Sequence, residues 1–198
     1  MVGRAAASRG GRMRIVGGRF RGTALAGPAE GSLAIRPTTD RLRESLFNIL
    51  EHAHHGVLRD ARVLDLFAGT GALGFEAMSR GAKACLFVEE SAEARGIIRR
   101  NQEALGLTGT TRIFRRDATD MGPVGTAEPY TLAFLDPPYG KGLADAALAA
   151  LKRGGWLVPG ALVVVEETAK AEIAWPAGFE PVDRRVYGDT AIAFATAG

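Results

Sequence analysis

Leu132-Ala133-Phe134-Leu135 runs without a break into Asp136-Pro137-Pro138-Tyr139. An apolar run of this kind, bounded by turn residues, reads as a buried strand, so the tetrad stands at a strand's carboxyl end. These residue types suit a reaction at an exocyclic amine of a nucleobase. The lone pair of such an amine is delocalised into the ring and is a poor nucleophile. Two acceptors aimed at its hydrogens favour a tetrahedral nitrogen and turn the lone pair toward an incoming group. The Asp136 carboxylate is one acceptor. The Pro137 carbonyl is the other, held in direction by the stiffness of the two prolines. Tyr139 adds an aromatic face on which a base stacks, worth about 1–3 kcal/mol. A base inside a duplex cannot reach such a group, so it must be flipped out or already unpaired.

A second constellation lies upstream. Val63-Leu64-Asp65-Leu66-Phe67-Ala68-Gly69-Thr70-Gly71-Ala72-Leu73-Gly74 reads as a strand, a glycine turn and the start of a helix. The glycines let the backbone turn sharply and approach a ligand. Gly69-x-Gly71-x-x-Gly74 is shared with dinucleotide-binding folds, and Glu89, 20 residues after Gly69, can hold the two hydroxyls of a ribose. Two acids tilt the balance away from a dinucleotide. Asp65 lies inside the first strand, where an anionic pyrophosphate would disfavour it. It suits S-adenosylmethionine, whose α-ammonium and sulfonium are positive. Asp117-Ala118 follows the third strand and is placed to meet an adenine edge; the alternative for Asp117 is a helix N-cap.

These groups need a scaffold that brings strand ends together. From about residue 61, apolar strand-like runs alternate with helical patterns. Strands are expected at 62–67, 84–88, 111–114, 131–135 and 161–165, and helices at 72–80, 92–105 and 143–151. A final hairpin turns at Gly188-Asp189. Such alternation predicts an α/β fold with a mostly parallel sheet covered on both faces, binding its ligand at the carboxyl ends of the strands. The final hairpin adds an antiparallel strand. Thr39 or Asp40 caps an earlier helix carrying Leu42, Leu46, Ile49 and Leu50 at helical spacing.

The 198 residues, 46% apolar and 24% charged, supply one domain with a real core, and no apolar run is long enough to span a membrane. The formal net charge of +3 is unevenly spread: residues 1–29 hold six arginines and no acid, leaving 19 basic against 22 acidic groups elsewhere. A basic end on a slightly acidic body predicts a polyanion-binding segment. Within it, Arg14-Ile15-Val16, Gly17-Gly18 and Arg19-Phe20-Arg21 read as a β-hairpin with a two-residue turn. Its alternation puts Arg19 and Arg21 on one face and Phe20 on the other. Residues 1–12 are expected to be a disordered basic extension. The single cysteine, Cys85, reads as a buried hydrophobe, and no internal disulfide is possible, which fits the cytoplasm. His52, His54 and His55 lack suitably spaced partners, so no metal is expected. Glu166-Glu167, ending an apolar strand, reads as surface acid. Trp156 and Trp175 read as core or lid packing.

Together these residues are similar to the RsmD family of bacterial 16S ribosomal RNA guanine-N(2) methyltransferases. The resemblance covers roughly residues 13–198. It rests on Met13–Gly18, Arg19–Gly22, Arg36-Pro37-Thr38-Thr39-Asp40-Arg41-Leu42-Arg43-Glu44-Ser45-Leu46-Phe47-Asn48, Asp65–Gly74, Glu89, Asn101 and the Asp136 tetrad. It implies a Rossmann-like seven-stranded sheet in a methyltransferase domain over 36–198, with an RNA-binding hairpin and connector over 13–35. Residues 1–12 lie outside the family's usual start. It further implies S-adenosylmethionine held by Arg36, Thr38, Thr39, Asp65, Phe67, Ala68, Gly69, Thr70, Gly71, Glu89, Asp117 and Ala118. Asp136, Pro137, Pro138 and Tyr139 would hold the guanine, and Arg14, Arg19, Arg21 and Arg41 the RNA. The expected substrate is 16S ribosomal RNA in a partly or fully assembled small subunit, met by a monomer. Three other readings compete: an amino methyltransferase acting on adenine or cytosine in DNA, an NAD-dependent oxidoreductase, and a non-catalytic RNA-binding or assembly factor.

Overall fold

The computed structural model describes residues 13–28 and 39–198. Helix α1 (Asp40–Ala53) starts where Thr39 caps it, its side chain accepting from the Leu42 N–H at 3.2 Å. There follow β1 (Arg62–Leu66), α2 (Ala72–Ser79), β2 (Ala84–Val88), α3 (Ala92–Ala104), β3 (Thr111–Phe114), β4 (Tyr130–Leu135), α4 (Leu143–Gly154), β5 (Leu157–Thr168), β6 (Phe179–Tyr187) and β7 (Thr190–Ala197). The seven strands form one sheet in the order β3-β2-β1-β4-β5-β7-β6. Strands β1 to β5 pair in parallel, and β7 runs antiparallel to both β5 and β6. The chain builds outward from β1 through β2 to β3, then crosses to β4 on the other side. That reversal opens a crevice over the carboxyl ends of β1 and β4, where open α/β sheets bind ligands.

Strand alternation divides the core between the two faces. Val63, Leu132, Phe134, Leu162 and Val164 pack with α1 and α2 against one face, while Leu64, Ala133, Leu135, Val163 and Val165 pack against α4 on the other. Asp65 has the parity of Val63 and so points toward α2. The approach there is close: a Cβ on Gly74 would lie 2.4 Å from Phe87 and 2.6 Å from the Cys85 sulfur. Cys85 is buried as expected. Among the described residues no helix is long and apolar enough to cross a membrane.

The expected turn at Gly17-Gly18 is displaced. Arg14 bridges Ala24, and Ile15 exchanges hydrogen bonds with Gly22 and Thr23, so the segment folds back on residues 22–25 rather than 19–21. Gly18–Phe20 is a 3₁₀ turn inside the reversal, and no extended strand forms there. The cause is docking. A Cβ on Gly18 would sit 2.0 Å from the Ser79 carbonyl oxygen, the Phe20 N–H donates to the Ser79 hydroxyl at 2.9 Å, and that hydroxyl donates to the Gly17 carbonyl at 2.6 Å. Arg19, Phe20 and Arg21 therefore do not alternate across a ribbon. Ile15 and Leu25 are buried in the core, and the buried Asn101 of α3 accepts from the Ala26 N–H at 2.7 Å. Residues 13–28 are thus an integral layer on α2 and α3.

Strands and helices otherwise fall close to their expected bounds. The departures have local causes. Helix α4 runs to Gly154 because Gly155, at φ 65°, closes it with its N–H on the Leu151 and Lys152 carbonyls. Strand β5 extends through Pro159-Gly160 at one end and through Glu166-Glu167 at the other, where β7 continues to pair with it.

Candidate active site

One cavity of about 990 Å³ opens over the carboxyl ends of β1 and β4. It gathers Thr39, Arg41, Asp65, Phe67, Ala68, Gly69, Thr70, Glu89, Asp117, Ala118 and the whole Asp136–Tyr139 tetrad. Gly71 does not line it. At φ 78° it is the left-handed residue from which α2 departs, so its part is to aim that helix. Arg36 and Thr38 lie outside the described residues, as do residues 1–12. Arg14, Arg19 and Arg21 are exposed but stand apart from the cavity, with the Arg19 guanidinium 4.5 Å over the Phe20 ring. Of the four arginines expected to meet RNA, Arg41 lines the cavity.

At the glycine-loop end, β1 leaves its ladder at Phe67, whose φ is 57°. A bulky residue held in that region costs of order 1–3 kcal/mol and persists only where its surroundings impose it. Glu89 is the loop's clamp: Oε2 accepts from the Gly69 N–H at 2.9 Å and Oε1 from the Ser91 N–H at 2.7 Å. A carboxylate offers about four acceptor directions, so this one can hold the loop and still receive hydroxyls. Asp65 is 1% exposed and accepts from the Gly74 N–H at 2.9 Å. Burial pushes its carboxyl well above the usual range; the Gly74 N–H opposes this, and the nearby charges of Asp136 and Glu89 add to it. Asp117 caps no helix. Its Oδ1 accepts from the Thr119 hydroxyl at 2.7 Å and the Thr119 N–H at 2.8 Å, a local turn that holds its carboxyl below the usual range.

At the other end, the Asp136 N–H prolongs the β1–β4 ladder toward the Leu66 carbonyl at 3.5 Å. The Asp136 side chain enters the cavity partly exposed, Pro137 is buried, and Tyr139 is half-buried. The Tyr139 hydroxyl donates to Glu166 Oε1 at 2.7 Å and lies 3.3 Å from the Thr190 hydroxyl. Burial is the chief reason its proton is held more tightly than usual, so the phenol stays neutral at ordinary pH.

Glu166 and Glu167 correct the sequence reading. They are 7% and 5% exposed, and Glu166 lines the cavity with Tyr187, Gly188, Asp189 and Thr190 of the β6–β7 turn. The sequence does carry their signal: two acids closing an otherwise apolar strand occupy the same place, a strand's carboxyl end, as Asp136. The turn at 188–189 carries no chemical signal, because the strand order that brings it to the cavity is not written locally. The histidines form no cluster, and the His54 ring stacks 5.4 Å from that of Phe194. Among the described residues no three His, Cys, Asp or Glu side chains are grouped to hold a metal. Trp156 is buried, its indole N–H donating to the Gly122 carbonyl at 2.7 Å.

Electrostatics set the character of the cavity. Asp65, Glu89, Glu90, Asp117, Asp136, Glu166 and Asp189 line it against Arg41 and Arg116. Such a surround attracts a cationic ligand and repels a pyrophosphate.

Residues 13–196 match a family described as Conserved hypothetical protein 95. The chain is 40% identical over 157 residues to the Ribosomal RNA small subunit methyltransferase D of Escherichia coli (strain K12), an alignment covering 79% of this chain and 75% of that protein. To the protein of the same name from Haemophilus influenzae it is 33% identical over 180 residues, 90% of each. Among solved structures, the putative methyltransferase yhhF from Escherichia coli superposes with a TM-score of 0.79 at 34% identity, over 94% of this chain and 98% of that one.

Proposed function

The chain belongs to the Conserved hypothetical protein 95 family, and from that membership and the cavity we propose that it methylates ribosomal RNA with S-adenosylmethionine, at the N2 amine of one guanine in the small subunit. The observation that carries this reading is that the Asp136 tetrad and the acid-lined glycine loop open into one cavity. When bound, S-adenosylmethionine supplies an electrophilic methyl group on a positive sulfonium. Asp65 would hold its ammonium, Glu89 its ribose hydroxyls, and Asp117 with Ala118 its adenine, with Thr39 and the 67–70 loop completing that wall. A cavity of 990 Å³ has room for this ligand and one flipped base.

Asp136 and the Pro137 carbonyl accept the two amine hydrogens and leave the nitrogen lone pair facing the donor. No strong base is required beforehand, since the amine proton becomes acidic only as charge builds on nitrogen. Tyr139 stacks on the base, and most of the acceleration comes from positioning, for which about 7–11 kcal/mol is available.

Asp65→Asn separates the ligand role from the structural one. Asparagine keeps an acceptor for Gly74, so the fold should melt at the same or a higher temperature at neutral pH. A carboxyl whose protonation is raised on folding contributes stability below its unfolded range and loses it as pH rises. The wild type should therefore fall progressively behind Asp65→Asn in melting temperature as pH rises from acid to neutral. Calorimetry should show S-adenosylmethionine binding weakened at least about tenfold, as expected when one charge-assisted hydrogen bond is removed. Unchanged affinity would remove Asp65 from the ligand site.

Residues 13–28, with Arg14, Arg19 and Arg21, form the RNA-contacting surface, and Arg41 carries it to the mouth of the cavity. The substrate is the partly or fully assembled small ribosomal subunit, met in the cytoplasm by a metal-free monomer. Replacing Arg19 and Arg21 together should weaken RNA binding while cofactor affinity holds. The slope of RNA affinity against salt should become shallower by about 0.7–0.9 for each phosphate that is no longer neutralised. Equal weakening of both affinities would mean unfolding instead. The function itself is tested with labelled S-adenosylmethionine offered small subunits, their naked RNA, and DNA. Label entering the RNA of the subunits supports the proposal; label confined to DNA overturns it.

A further inference from the structure

We propose that Glu166, backed by Thr190, is a positioning residue that fixes the Tyr139 ring in the plane where the target base stacks; this rests on the stacking role proposed for Tyr139. Tyr139 sits in the link between β4 and α4. Gly140 and Gly142, at φ 72° and 64°, follow it in backbone conformations that other residues rarely adopt. A ring on two rotatable bonds in such a link needs a second anchor to hold one plane.

Two strands supply it. Glu166 has the parity of Val164, so it projects from the α1 and α2 face of the sheet. Thr190 is paired with Thr168, two residues further along β5, and therefore lies on the same face. Both are 7% exposed. The phenol has one hydrogen, and the shorter, charge-assisted contact at 2.7 Å to Glu166 takes it. Thr190, at 3.3 Å, must then donate to the phenol oxygen. The order Thr190 to Tyr139 to Glu166 uses the ring's single polar atom as both acceptor and donor, which sets its direction.

Glu167 grips the same link from the other face. It has the parity of Val165, and its Oε1 accepts from the Gly140 N–H at 3.2 Å and the Thr168 N–H at 2.8 Å. The link thus straddles the end of β5, held through a side chain on one face and through backbone on the other. Holding a carboxylate almost out of water is costly, and the sheet does not ask for it, because β5 and β7 already pair from Leu162 to Thr168. The Tyr139 hydroxyl is a partner that offsets that cost.

The test is a cycle of Tyr139→Phe, Glu166→Ala and the double variant, with Glu166→Gln and Tyr139→Ala alongside. Turnover and KM are read with small subunits and labelled S-adenosylmethionine, and cofactor Kd by calorimetry. Tyr139→Phe and Glu166→Ala should each lower kcat/KM for RNA by about 10- to 100-fold, as expected for one charge-assisted bond. Cofactor Kd should be unchanged for Tyr139→Phe and weakened far less than turnover for Glu166→Ala, which takes one of several acids from the cavity. The double variant should be no worse than the poorer single one, and Glu166→Gln, which keeps an acceptor, should recover most of the loss. Losses that multiply in the double variant would overturn the proposal. So would a Glu166→Ala that weakens cofactor binding as much as RNA turnover. If Glu166→Ala melts too low to assay, the cycle of Thr190→Val with Tyr139→Phe reads the same coupling, and multiplying losses there are equally fatal. Tyr139→Ala with wild-type turnover would instead remove the stacking role on which the inference rests.

Discussion

Asp136→Ala should lower turnover by at least about 10²- to 10³-fold, the effect of removing one preorganised polar partner of a transition state, while S-adenosylmethionine still binds. In the proposed reaction the amine acquires positive charge as the methyl arrives, and Asp136, which follows β4 and lines the cavity, would be the charged acceptor for it. Its carboxylate also raises the protonation range of Asp65. Removing it lets Asp65 ionise more readily, which favours a bound cation and offsets the missing attraction of Asp136 itself. Asp136→Asn keeps an acceptor but no charge and should fall between wild type and alanine. Single-turnover rates with saturating cofactor, set beside calorimetric Kd, make the distinction. An alanine variant that turned over within about threefold of wild type would exclude Asp136 from the reaction, since threefold is under 1 kcal/mol of barrier.

The second large effect concerns stability. Glu76→Ala should cost about 3–5 kcal/mol, the range for removing one partner of a buried ion pair. Glu76 is fully buried in α2. It accepts from Arg80 Nε at 2.8 Å and from the Val16 N–H at 2.8 Å, and Arg43 Nε lies 3.6 Å from its Oε2. Alanine would leave two largely buried guanidinium groups without this counter-charge and remove one of the hydrogen bonds, beside those of Ser79, that tie α2 to residues 13–28. For a chain of this size each kcal/mol moves the melting temperature by about 2–4 °C, so a fall of about 6–20 °C is expected by calorimetry. Glu76→Gln keeps an acceptor for Val16 and should fall by less. A change within about 2 °C for the alanine variant would mean that the Glu76 ion pairs add nothing to the packing of α1, α2 and the N-terminal layer.

The same network marks where sequence reading stops. Arg43, Glu76 and Arg80 belong to two helices or their ends, and nothing local says that three charges will be buried together; a charge on a helix normally reads as solvated. The strand ends are legible because they obey local rules: an apolar run ending in Asp136, and glycines ending another beside Asp65. Those two signals place both ends of the cavity. The N-terminal reversal misleads because Gly17-Gly18 matches a two-residue turn, whereas Gly18 is required by close contact with Ser79. Glu166 and Glu167 read as surface acids because acids at strand ends usually meet water. Only the pairing of β5 with β7 and the return of the 136–142 link over β5 bury them. Reading a partner that comes from an adjacent strand requires the strand order, and the order is a property of the whole chain.

Mass spectrometry of nucleosides tests the proposed reaction most directly. Small-subunit RNA lacking the modification is incubated with S-adenosylmethionine and either the wild type or Asp136→Ala, then digested completely. The wild type should add N(2)-methylguanosine and the variant almost none. A methyl group on any other nucleoside, or N(2)-methylguanosine formed equally by both proteins, would contradict the assignment of Asp136 and of its guanine substrate.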